Sequence, residues 1–144
     1  MCLEKIKETV PNMPETLIIL GSGWNRALEI AYIESRESYG ELFGVKTSVP
    51  GHSGELIIAT LNGKRCVFMS GRFHLYEGYS AQDATLPIKI LAQLGVKKMI
   101  VTSASGALNP DYRVGDFVVL NDLLTLFLKS NPLLGAQFID MSSV

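Results

Sequence analysis

Runs of consecutive apolar residues alternate along the chain with segments of helical periodicity, and the alternation predicts an α/β fold. Leu17-Ile18-Ile19-Leu20 is uninterrupted apolar sequence, the pattern of a strand buried on both faces. Glu55 to Thr60 and Arg65 to Ser70 are two further strands around Asn62-Gly63, a dipeptide suited to a tight hairpin turn. Lys98 to Thr102 and Phe117 to Leu120 complete the strand set. Between them, Leu3 to Val10 reads as a short amphipathic helix closed by Pro11 and Pro14, and Asn25 to Glu34 reads as helical. Ser80 to Leu94 is a longer helix with Leu86, Ile90, Leu91 and Leu94 on one face. Pro87 falls in its early turns, and Gly95 stops it. The fold class that follows is α/β: a mixed, largely parallel central sheet flanked by helices. Residues 1–144 form one domain, without repeats, low-complexity tracts or a linker.

Composition narrows the chemistry. A hydrophobic share of 47% suits a compact α/β core with an interface to bury, and a net charge of −1 supplies no global field to recruit nucleic acid or an anionic membrane. Any anion site must therefore be local. Cys2 and Cys66 offer neither a disulfide framework nor metal-ligand spacing; Cys66 lies in an apolar run and reads as a buried thiol. With neither a signal peptide nor an apolar run of spanning length, the expected location is the cytoplasm.

Three strands end in loops of small or polar residues, and open α/β sheets bind ligands at the carboxyl ends of their strands. After the first comes Gly21-Ser22-Gly23, whose glycines let backbone N–H groups face an anion while Ser22 adds a hydroxyl. A plain strand-to-helix turn has the same composition. The full dinucleotide fingerprint is absent, since no glycine follows until Gly40, and no Gly-Lys-Ser/Thr marks a Walker loop. Thr102 to Ala107 is small enough for close approach to a ligand or for tight packing alone. Richest in chemistry is Gly71-Arg72-Phe73-His74-Leu75-Tyr76-Glu77-Gly78. If extended, it points Arg72, His74 and Tyr76 to one side: a guanidinium fork suited to phosphate, a ring donor, and a phenol suited to a sugar hydroxyl. Glu77 is placed to fix the histidine tautomer. A polar edge strand would alternate in the same way.

Together these segments resemble the trimeric-type purine nucleoside phosphorylases. The resemblance rests on seven blocks in order: Leu20 to Gly23; Val49 to Gly54; Gly71 to Gly78; Val101 to Pro110; Val114-Gly115-Asp116; Asn131-Pro132-Leu133; and Met141-Ser142. It implies phosphate binding by Ser22, His52, Arg72, His74, the backbone N–H of Ala104, and Ser142. It implies ribose contacts from Tyr76 and Met141, a supporting carboxylate in Glu77, and Arg72 and His74 as the catalytic pair. The implied reaction is reversible phosphorolysis of purine (deoxy)ribonucleosides to free base and (deoxy)ribose 1-phosphate, with phosphate as co-substrate and no metal or organic cofactor. The implied partners are phosphate and a purine nucleoside, with no nucleic acid and no membrane, in a homotrimer when complete.

A methylthioadenosine phosphorylase-like enzyme is the related alternative. The chain departs from the family at Trp24-Asn25, which places bulk beside the first loop, and at Ser103, Ser105 and Leu123; it is also short between Gly135 and Phe138. It ends just after Met141-Ser142, where the family continues through the half that grips the purine. The expectation is therefore an N-terminal part that supplies the phosphate and ribose side, or a truncated relative that binds phosphate or serves only in assembly.

Overall fold

A computed structural model of the protein describes residues 2–44 and 54–122. The five strands among these residues form one mixed sheet in the order β2-β3-β4-β1-β5. Helix α1 (Cys2–Thr9) leads into β1 (Thr16–Leu20), and a 3-10 helix (Trp24–Ile30) into β2 (Tyr32–Ser38) and the short α2 (Tyr39–Phe43). Then follow β3 (Glu55–Leu61), β4 (Lys64–Ser70), a 3-10 turn (Leu75–Glu77), α3 (Ala81–Gln93) and β5 (Lys98–Val101). β1 lies between β4 and β5 and is parallel to both, whereas β2–β3 and β3–β4 are antiparallel.

The apolar runs of β1, β3 and β4 predict strands correctly because the sheet is covered there on both faces. Leu17, Ile19, Leu56, Ile58, Val67 and Met69 meet a core layer built with Ile6, Leu42, Ile90 and Leu91 of the three α-helices. Their neighbours Leu20, Ile57, Ala59, Cys66 and Phe68 point the other way, under Trp24, Leu28 and Ile33. Cys66 is a buried thiol, and burial pushes its pKa up. The hairpin forms at Asn62-Gly63 as predicted, with both residues at positive φ (48° and 74°), a combination that asparagine and glycine tolerate best. Ser80 caps α3, its hydroxyl accepting the Asp83 N–H at 3.1 Å.

Several expectations need correction. The helical stretch after Gly23 ends at Ile30 rather than Glu34, because Tyr32 onward pairs with β3 (Tyr32 opposite Thr60, Ser38 opposite Glu55). The buried face of α3 uses Ala84, Ile88, Leu91 and Leu94 with Ile90, while Leu86 is 38% exposed. Pro87 is buried at the seventh of the helix's thirteen positions, at the end of its second turn. Phe117 to Leu120 forms no strand: the stretch is irregular and exposed, since no strand among the described residues lies beside it.

Apart from Ile33, which packs on the apolar layer, β2 is held by charge. Glu34 accepts from Arg65 Nε at 2.6 Å and from Thr60 Oγ1 at 3.1 Å, and Arg36 bonds Glu55 at 3.0 Å. The Arg65 hydrogen bond, more than any other influence, holds the Glu34 carboxyl below the usual carboxylate range. A lowered folded-state pKa means that the stabilising contribution is complete above the unfolded value of about 4.3 and is lost as pH falls through the lowered one. Protection factors of the β2 amides should therefore fall below about pH 4 relative to those of β1 and β4, and Glu34→Gln should remove that pH step.

Candidate active site

The topology brings three loops to one edge. Because β4, β1 and β5 run parallel, with Leu20 beside Ser70 and Ile19 beside Val101, their carboxyl ends lie side by side. Adjacent strands are about 4.8 Å apart, so Gly21-Ser22-Gly23, Gly71 to Gly78 and Thr102 to Ala107 leave the sheet within about 10 Å of one another.

The first and third loops are tied directly. Gly21 N–H donates to Thr102 Oγ1 at 2.9 Å, and Thr102 in turn donates to the Ile19 carbonyl from its hydroxyl (2.9 Å) and its N–H (3.0 Å). A Cβ on Gly21 would stand 2.3 Å from the Thr102 carbonyl oxygen and 2.9 Å from Ser103 Cα, so only glycine permits this approach. The tie holds Ser22 and Ala104 on adjacent exposed loops.

The second loop is extended only as far as His74 (φ −110°, ψ 142°) before the Leu75–Glu77 turn, so the alternation predicted through Tyr76 breaks there. Arg72 and His74 still face away from the core, on either side of buried Phe73. The turn nevertheless brings Tyr76 back over His74: their rings stack at 4.7 Å between centroids and 15° between planes. Glu77 supports the histidine through its backbone, its carboxylate accepting the His74 N–H at 2.9 Å. Tyr76 is 76% exposed, which leaves its hydroxyl accessible to a ligand.

Arg72 is distinguished by partial burial without a partner; Arg113, whose guanidinium also has no carboxylate beside it among the described residues, is exposed. Arg26, Arg36 and Arg65 are each paired with a glutamate. Arg72 is half-buried and has no carboxylate partner among the described residues. A guanidinium held against the protein with no anion of its own is suited to take one from solution.

The bulk at Trp24 turns onto the sheet, packing on the Leu20–Phe68 layer and meeting the Phe117 ring edge-on at 5.5 Å. Asn25 Oδ1 accepts the Ser70 hydroxyl at 3.3 Å and so links the 3-10 helix to the end of β4. Thr102 and Tyr39 are structural members of the site that sequence reasoning did not single out. The Tyr39 hydroxyl donates to the Gly71 carbonyl at 2.9 Å inside the core. Burial first, and the nearby Glu55 charge second, push the Tyr39 pKa far up, so the phenol remains a donor. His52, Met141 and Ser142 lie outside the described residues, as do Leu123 and the 135–138 stretch.

The phosphorylase superfamily model matches residues 15–144. Purine nucleoside phosphorylase 1 of Bacillus subtilis is 39% identical over 147 residues, covering 96% of this chain and 54% of that protein. Among solved structures, a purine nucleoside phosphorylase of Schistosoma mansoni in complex with BCX-34 superposes with a TM-score of 0.81 at 36% identity, covering 98% of this chain and 55% of that one. Isoform 2 from the same organism, in complex with cytosine and ribose-1-phosphate, gives a TM-score of 0.70 at 38% identity, covering 82% and 42%. The chain thus spans about half the length of the relatives it matches. A sequence match over nearly the whole chain and a shared fold agree with the three-loop edge, and the chain belongs to the phosphorylase superfamily.

Proposed function

We propose that this chain supplies the phosphate and ribose side of a purine nucleoside phosphorylase. The observation that carries the reading is the half-buried Arg72, unpaired among the described residues, at the joint edge of three parallel strand ends. Support comes from relatives bearing that enzyme's name, one of them solved with ribose-1-phosphate. In this reading Ser22, Arg72, His74 and the Ala104 N–H hold inorganic phosphate, joined by His52 and Ser142, while Tyr76 and Met141 hold the sugar.

A phosphate oxygen attacks the anomeric carbon as the glycosidic C–N bond breaks, and the bonding pair leaves with the purine. The sugar passes through an oxocarbenium-like state that the bound phosphate dianion stabilises, so the protein acts by orientation and preorganised charge. No metal or organic cofactor takes part. A cytoplasmic homotrimer is the assembly that goes with this reading.

Ribose 1-phosphate should bind more tightly than inorganic phosphate, because the sugar adds the Tyr76 contact. Tyr76→Phe keeps the stack on His74 and removes only the hydroxyl. It should weaken ribose 1-phosphate by about 3- to 10-fold, the worth of one net hydrogen bond, and leave inorganic phosphate unchanged. Equal affinities for the two ligands in the unaltered protein would remove the ribose half of the proposal.

A further inference from the structure

Arg72 is the group on which the proposed phosphate site depends, yet no hydrogen bond or ion pair among the described residues fixes its guanidinium. Its position must come from the residues on either side of it. One side chain grips both. The Tyr39 hydroxyl donates to the carbonyl of Gly71 at 2.9 Å, and the Tyr39 ring lies against the ring of Phe73, 5.3 Å between centroids and tilted by 41°. Gly71 is itself in the left-handed region (φ 99°), at the point where the chain leaves β4. Its carbonyl oxygen lies in the planar peptide joining it to Arg72, so holding that oxygen fixes the plane from which the arginine departs.

Tyr39 is in turn immobilised. It is 1% exposed, its ring packs edge-on against Phe43 at 5.7 Å, and its backbone N–H donates to the Gly54 carbonyl at 2.7 Å. Phe73 is backed from another direction by Tyr79, at 5.2 Å and 71°. For core packing alone a phenylalanine would serve at position 39. The hydroxyl supplies the Gly71 carbonyl with a partner, the one hydrogen bond that carbonyl accepts among the described residues, and that carbonyl adjoins the proposed anion-binding arginine.

We infer that Tyr39 is a positioning residue for the anion site: by holding Gly71 through its hydroxyl and Phe73 through its ring, it sets where the Arg72 guanidinium stands. The inference rests on the proposed phosphate reading and adds to it a residue remote in sequence from the loops.

The test titrates the full chain with inorganic phosphate by calorimetry, and follows the Arg72 side-chain Nε–H resonance by NMR. Tyr39→Phe should weaken phosphate about fivefold and shrink the phosphate-induced shift of that resonance. Ile58→Val, a core change in β3 outside the Tyr39–Gly71–Phe73 contacts, is the control: it should lower the thermal midpoint yet bind phosphate as before. Should Tyr39→Phe not fold, Phe73→Leu loosens the second grip and should weaken phosphate about two- to threefold. Affinity within error of the unaltered protein in whichever of these variants folds, with Arg72→Ala still losing binding, would overturn the role of Tyr39 and leave the anion site standing. Absence of saturable phosphate binding in the unaltered protein, or binding indifferent to Arg72→Ala, would overturn both.

Discussion

Arg72→Ala should abolish measurable phosphate binding while leaving the fold intact. Hydrogen bonds to charged groups contribute about 1.5–3 kcal/mol each, and a guanidinium can make two to one phosphate, so the loss amounts to at least about 100-fold in affinity. Stability should change little, because Arg72 makes no ion pair among the described residues that the substitution would break. Arg72→Lys separates charge from geometry: the ammonium keeps the positive charge and loses the planar fork, so binding should fall between the two. Calorimetric titration with inorganic phosphate, alongside thermal melts of all three proteins, reads both quantities. Unchanged binding in Arg72→Ala would mean that the anion site is misassigned.

Gly21→Ala should damage fold and site together. Its methyl would meet backbone, the Thr102 carbonyl oxygen and Ser103 Cα, and no flexible side chain can move aside there. The strand ends would have to separate, disturbing the hydrogen bond from Gly21 N–H to Thr102. Overpacking of this kind costs about 3 kcal/mol, which for a chain of this size lowers the thermal midpoint by about 10 °C. Phosphate affinity should fall as well, since the same approach sets Ser22 beside the Ala104 loop. Gly23→Ala, by contrast, meets no atom of the described residues within 4 Å and is opposed there by its positive φ of 84°. Its effect should be about 1 kcal/mol. Equal melting temperatures for the two variants would contradict the close-approach account.

What was legible in the sequence follows from local causes. Apolar runs marked β1, β3 and β4 because each is buried on at least one face, and β5 because it pairs with β1 and lays Met99 against the core; Asn62-Gly63 marked the hairpin because its backbone demands those residues. β2 was not legible. Tyr32 to Ser38 carries Glu34, Arg36 and Glu37, and what makes it a strand is pairing with β3 and glutamate–arginine bonds to residues about twenty to thirty positions away. Phe117 to Leu120 erred in the other direction: an apolar run becomes a strand only where a neighbour offers hydrogen bonds, and the described sheet ends at β5.

The site divides in the same way. Ser22, Arg72, His74 and Tyr76 could be picked out as candidates because their loops are rich in glycine or polar groups, whereas Ala104 entered only through the family resemblance. Tyr39 and Thr102 act through bonds to Gly71 and Gly21, 32 and 81 positions distant, and no local pattern announces such a partner. Trp24 shows the same limit. The sequence places its bulk beside the first loop, and only the fold shows that the ring lies on the apolar layer of the sheet face and against the edge of Phe117.

The most direct measurement is a crystal structure of the protein with ribose 1-phosphate. The phosphate oxygens should lie within hydrogen-bond reach of Ser22 Oγ, the Arg72 guanidinium, the His74 ring and the Ala104 N–H at once, with the sugar beside Tyr76. Phosphate bound elsewhere, with Arg72 and Ser22 facing solvent apart from one another, would contradict the reading of this edge as a nucleoside phosphorylase site.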